Sequence, residues 1–255
     1  MTVLFPVLVL WAPAAARASA AVPEIAEVRV SSASFVEEDR LYFHRQQSDN
    51  LERSIALLSE RLRSQPEDAQ ILWRMGRCWV RAGERKKKNA ERLADFLKAK
   101  GFLDRALAAD AREAQAHFWW GIAAGREGQA RGILRSLFLV SPIKEHMRRT
   151  IQLDPSHGGA HHVLGEMLRQ IPGFAGGSKK KALAELREAS RLWPNWTANY
   201  PALAQACLDV SDKACAAESL RAAFRVSVPD DPGEHDENIE DARRMLAELG
   251  EKSPY

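Results

Sequence analysis

Arginine set beside aromatic carbon is the chemistry this sequence repeats most often. Trp73 is followed by Arg77 and Arg81, Phe118 and Trp119 by Arg126, and His162 by Arg169. If these residues share one surface, guanidinium forks would match a carboxylate and the aromatic faces would cover its apolar remainder. The same aromatic residues would equally well thicken a core and leave the arginines solvated. His157, His161 and His162 lie near Asp154, which raises a metal reading, but Gly158-Gly159 and the lack of an HExxH pattern weaken it. His117 and His146 read as hydrogen-bonded structural residues. Gly176-Gly177-Ser178 would expose backbone N–H groups to an anion, although a Ser178 N-cap after a flexible turn is the simpler account. No Ser-His-Asp or Cys-His constellation emerges, so neither an enzyme, a metal nor a cofactor is expected.

Four segments ending in a small residue set the frame that would position these groups. They are Leu72 to Gly76, His117 to Gly121, His161 to Gly165 and Tyr200 to Ala204. Pro66, Pro155 and Pro194 stand ten residues before three of the small residues, with Ala111 in place of the proline in the second segment. A second set of anchors follows at Ala99, Ile143, Ala182 and Ala216, with Leu103, Met147, Leu186 and Leu220 four residues later. This is the tetratricopeptide pattern, in which each repeat is a pair of antiparallel helices stacked on the next. Small residues at the Gly76 and Ala99 type positions admit close helix approach, and large apolar residues at the Met75 and Leu103 type positions fill the space between. The fold expected is all-α, a helical-hairpin solenoid. First-helix positions then place Trp73, Arg77, Arg81, Phe118, Trp119, Arg126, His162 and Arg169 along one concave groove.

The repeats are longer than the norm. Small residue and following anchor are separated by 23, 22, 17 and 12 residues in successive repeats, against about 12 in a standard repeat. The extra residues fall between the first and second helix of each pair and so extend one edge of the solenoid. They include Gly83 to Lys88, Leu134 to Val140 and Ile171 to Gly177. The Lys179 to Lys181 and Arg85 to Lys88 runs read as solvated faces close to that edge, open to an acidic partner. The domain division expected is an irregular lead-in over 21–49, a repeat array over 50–229 and a C-terminal capping helix and tail over 230–255. In the last, Ile239, Ala242, Leu246 and Leu249 give the apolar face.

Residues 1–20 read as a cleaved signal peptide. The stretch VLFPVLVLWA is too short to span a bilayer and leads to Ala18-Ser19-Ala20, a signal-peptidase type site. A periplasmic or secreted location follows. The 255 residues are 45% hydrophobic and 28% charged with a net charge of +3, which excludes a multi-span membrane protein and a dedicated nucleic-acid binder. Three cysteines without a CxxC pair exclude a zinc ribbon or a thioredoxin motif. In an oxidising compartment Cys207 and Cys215, placed around the Asp209 to Lys213 turn, would be able to pair, while Cys207 would also pack well as a small free thiol.

The long-insert repeats, Pro142-Ile143-Lys144-Glu145-His146 leading to Leu153-Asp154-Pro155, and Ile171-Pro172-Gly173 with Gly176-Gly177 resemble two groups. One is the T-component family of tripartite ATP-independent periplasmic transporters, and the other is the regulator-of-microtubule-dynamics family. The first resemblance implies a non-enzymatic accessory protein that docks a periplasmic solute-binding protein and helps deliver a small carboxylate ligand. An envelope or secretion assembly protein holding a peptide in its concave groove is the alternative. Self-association into a homo-oligomer is left open.

Overall fold

A computed structural model describes residues 34–252. The expected signal peptide therefore lies outside the described residues. The elements are α1 Val36–Phe43, α2 Asn50–Ser64, α3 Ala69–Glu84, α4 Asn89–Ala109, α5 Ala114–Arg131 and α6 Ile133–Leu153. They continue with α7 Gly158–Gln170, a 3-10 turn Gly173–Ala175, α8 Lys179–Leu192, α9 Asn199–Asp209, α10 Lys213–Ala223 and α11 Pro232–Glu248. Helices pair in chain order, α3 with α4, α5 with α6, α7 with α8 and α9 with α10, and each pair packs on the next. This is the expected all-α helical-hairpin solenoid.

The starts of the helices follow from capping. Asp68 accepts hydrogen bonds from the Gln70 and Ile71 amides, Glu113 from Gln115, and Asp212 from Cys215. Each cap satisfies a backbone donor that the first turn leaves without an intrahelical partner. Ser178 likewise accepts from the Lys181 amide, which is the capping role rather than an anion site.

The small-to-large anchors set the closeness of each pair. A Cβ placed on Gly76 would stand 2.5 Å from Leu103 Cγ, one on Gly165 2.5 Å from Leu186 Cγ, and one on Gly121 2.3 Å from Met147 Cε. In three successive hairpins the large residue of the second helix thus rests on bare backbone of the first.

Most of the extra residues are helical extensions rather than loops. Helices α4 and α6 are each 21 residues long, against 11 for α9 and for α10. The segment Leu134 to Val140 lies inside α6, and Gly83-Glu84 closes α3. Ile171 to Gly177 does form an irregular tip. There Gly176 has φ +91°, and a Cβ on Gly177 would fall 1.9 Å from the Ile171 carbonyl oxygen, so both positions require glycine.

Two terminal elements flank the repeat hairpins. Within the stretch read as an irregular lead-in, α1 forms a helix with Leu41 and Tyr42 buried. Helix α11 begins at Pro232, inside the 230–255 stretch read as capping helix and tail, because Asp231 caps it through the Gly233 amide and proline suits the first turn. These two elements meet. Arg45, just past α1, makes a two-pronged pair with Asp231 at 2.7 and 2.9 Å across 186 residues of sequence.

Candidate binding groove

Helix α3 carries Trp73, Arg77 and Arg81 at four-residue steps, hence along one face. Helix α5 presents Gln115, Phe118, Trp119 and Ile122 to the same space, α1 adds Tyr42 and Phe43, and the turn after α8 adds Trp193 and Trp196. With Asp230 and Asp231 before α11 they enclose a pocket of about 120 Å³. That is comparable to a cavity of roughly 150 Å³ that holds a benzene ring, so it suits one side chain.

Its wall is a chain of ring contacts. Tyr42 meets Trp119 edge-on at 6.3 Å, Trp119 meets Phe118 at 5.4 Å, and Phe118 meets His157 at 4.5 Å. His157 then packs on Trp193 at 4.8 Å and Trp193 on Trp196 at 5.6 Å. Behind the wall, Gly158 and Gly159 let Trp193 and Phe118 approach the start of α7, where added Cβ atoms would stand 2.7 to 2.9 Å from those rings.

Five of the eight residues expected in the groove therefore line one pocket: Trp73, Arg77, Arg81, Phe118 and Trp119. The other three do not line it. Arg126 pairs with Glu84 at 2.6 Å. His162 hydrogen-bonds Asn199 at 2.9 Å and packs on Trp196. Arg169 pairs with Glu166 at 2.9 Å and reaches Asp209 at 3.6 Å.

The groove arginines are matched by carboxylates of their own chain. Arg77 and Arg74 share Asp39, Arg81 pairs with Glu84 and Glu234, and Arg45 holds Asp231. Burial works to raise the Glu84 carboxyl, but Arg81 and Arg126 outweigh it and hold it down to about 2. One buried donor of the site is left without a partner. Arg77 is 4% exposed, its guanidinium lies 3.6 Å from the Tyr42 ring centre, and its Nε–H has no hydrogen-bond partner.

The histidines are engaged separately. His157 Nδ1 accepts from the Ala160 amide, and burial pushes the ring down to about 4, so it stays neutral as a helix cap. His161 Nδ1 faces Glu185 at 2.7 Å. His117 and His146 face each other through their Nδ1 atoms at 3.0 Å, and His146 stacks on Trp120. Burial, with His117 adding to it, brings His146 down to about 4. Among the described residues no group of three His, Cys, Asp or Glu side chains is placed to hold a metal ion. Cys207 and Cys215 are joined as a disulfide with Cα atoms 5.8 Å apart, while Cys78 is a buried free thiol.

Sequence reasoning missed Tyr42, Phe43, Gln115, Ile122, Trp193 and Trp196. Two tryptophans flanking the Pro194-Asn195 linker were the available signal.

The family model described as regulator of microtubule dynamics protein 1-3 matches residues 36–171. The chain belongs to that family. A rat regulator of microtubule dynamics protein 3 is 24% identical over 141 residues, covering 55% of this chain and 30% of the relative. A bovine regulator of microtubule dynamics protein 1 is 31% identical over 121 residues, 47% of this chain and 37% of the relative. The chain thus spans about a third of the length of these two relatives. The protein 1 of Pongo abelii aligns more fully, at 26% identity over 81% of this chain and 70% of that one. Among solved structures, a thermophilic TPR protein of Thermus thermophilus superposes with TM-score 0.60 at 17% identity, covering 82% of this chain and 95% of that chain. That likeness concerns the fold. The resemblance to transporter T components is not shown by these matches.

Proposed function

We propose that this chain is an exported, non-enzymatic scaffold that binds an extended segment of a protein partner along its concave face and seats one uncharged apolar side chain in the aromatic pocket. The observation that carries this reading is the pairing of every groove arginine with an internal carboxylate. A ligand carboxylate entering the pocket would have to displace Asp39 or Glu234 from a buried guanidinium, at a cost that a neutral side chain avoids. The Cys207–Cys215 bridge supports export, since such bonds persist in oxidising compartments. Docking of a periplasmic solute-binding protein has no such support, so the partner is proposed only as a protein segment. The relatives are named for microtubule dynamics; the segment shared with them is the helical repeat, and the proposal is confined to what that repeat offers.

The test is selection of binders from a random peptide library on the intact protein, followed by affinity measurement against Ile122→Trp, which fills the pocket. Recovered peptides should share an apolar or aromatic anchor and lose at least about tenfold in affinity to the variant, the equivalent of about 1.4 kcal/mol. Peptides defined instead by an acidic residue or a free carboxylate end, or binding indifferent to Ile122→Trp, would sink this reading.

A further inference from the structure

The hairpin tips of three successive repeats lie along one edge. The first two are tied by Asn89 Nδ2 donating to the Ala130 carbonyl at 2.7 Å and by Arg126 meeting Glu84. The third follows on, since a Cβ on Gly176 would stand 3.6 Å from Lys144 Nζ of α6. Residues 84–92, 126–132 and 166–181, which form these tips, hold 11 Lys and Arg against 4 Asp and Glu. Their net charge is +7 in a chain whose total is +3, so the rest of the molecule carries −4. Lys86 to Lys88 and Lys179 to Lys181 are all exposed. On the same edge stand two largely exposed aromatic rings, Phe138 at 82% and Phe174 at 88% exposure.

We propose that this edge docks the protein onto the surface of an anionic lipid bilayer, with Phe138 and Phe174 entering the headgroup region and the two lysine runs resting on lipid charge. A protein interface gathers apolar residues into a core depleted of charge. Here the two phenylalanines stand out from a tip and from the first turns of α6, within an edge of strong positive charge. A headgroup layer accepts such points without a complementary shape, and clustered lysines supply attraction that falls off within a Debye length. No helix among the described residues is long and apolar enough to cross a membrane, so contact through this edge is peripheral. Neither phenylalanine and none of these lysines lines the pocket, so docking through them does not depend on what the pocket holds.

The experiment is co-sedimentation of the full chain with vesicles of phosphatidylcholine alone and of phosphatidylcholine mixed with phosphatidylglycerol, at low and high salt. The protein should pellet with the anionic vesicles, weaken as salt rises, and stay in the supernatant with the zwitterionic ones. Phe138→Ser with Phe174→Ser should reduce partitioning at least tenfold, and replacing Lys86, Lys87 and Lys88 by Gln should reduce it about as much, each with an unchanged melting temperature because the residues are exposed. Three results overturn the proposal: no sedimentation with either vesicle, sedimentation that the phenylalanine pair does not affect, or capture by an acidic polypeptide such as polyglutamate without capture by anionic vesicles. A dimer in solution that the phenylalanine pair dissolves while vesicle binding persists also overturns it, by assigning these rings to a second copy of the chain.

Discussion

The α3–α4 hairpin and the α9–α10 hairpin solve the same packing problem with different side chains. The first is long and buries Trp73, Phe96 and Leu103, seating Leu103 on Gly76 and Phe96 on Gly83. It also takes two guanidinium groups inside, Arg74 at 0% and Arg77 at 4% exposure, both held by Asp39. The second is short and lined largely by alanine, at Ala204, Ala206, Ala216, Ala217 and Ala223, with Leu203 and Leu220. Alanine removes little apolar area from water, so this hairpin gains less from burial. A disulfide joins its two helices instead. Large side chains therefore create a core deep enough to enclose charge at the groove, whereas the small core at the other end is supplemented by a covalent constraint.

The sharpest way to break this contrast is to remove the carboxylate on which the enclosed charge depends. Asp39→Ala leaves Arg74 and Arg77 buried without their counter-ion, and breaking such a pair costs about 3–5 kcal/mol. Asp241→Ala, which removes an exposed i,i+3 partner of Arg244, is the control and should change stability by less than about 1 kcal/mol. Urea unfolding of the two variants separates them. Equal midpoints would mean that the groove's charge is solvated in practice and that the two hairpins do not differ in this respect.

The second way concerns the constraint. Cys207→Ala with Cys215→Ala opens a loop with a sequence separation of 8, worth about 2.5 kcal/mol on the chain-entropy account. The loss should be local. Amide exchange in α9 and α10 should accelerate while α3 and α4 keep their protection, and uniform acceleration along the chain would show that the short hairpin is not a separately weak unit.

The repeat anchors were legible in the sequence because close helix approach leaves a residue-size signature at fixed offsets, as at Gly76, Gly121 and Gly165. The pairing of Cys207 with Cys215 was weighed there against a free thiol because the short turn brings the two close. The closure of α1 onto α11 was not legible. It rests on Arg45 meeting Asp231 and Glu234, contacts between stretches without repeat period. For the same reason Tyr42 and Asp39 escaped notice, and the arginines read as available for a ligand. An arginine's position on a helix face says which way it points, but its counter-ion comes from an element that only the folded chain brings near.

The smallest expected effect tests the packing distance itself. Gly101 lies in α4 with nothing within 4 Å of where a Cβ would stand, so Gly101→Ala should stabilise by roughly 0.5–1 kcal/mol through helix propensity alone. Gly76→Ala makes the same propensity gain but drives a methyl into Leu103, whose Cγ would be 2.5 Å and Cδ2 2.8 Å away. Overpacking of this kind costs about 1–3 kcal/mol, so the net change should be a loss of about 1 kcal/mol. The corresponding position of the short hairpin already carries a methyl, at Ala204, fully buried in the same pair as Leu220. Thermal unfolding of the two alanine variants side by side reads the difference. If Gly76→Ala is stabilising like Gly101→Ala, then Leu103 yields freely and the long hairpin is packed no more closely than the short one. A loss that shrinks when Leu103→Val is added would confirm that the two hairpins differ in how near their backbones approach.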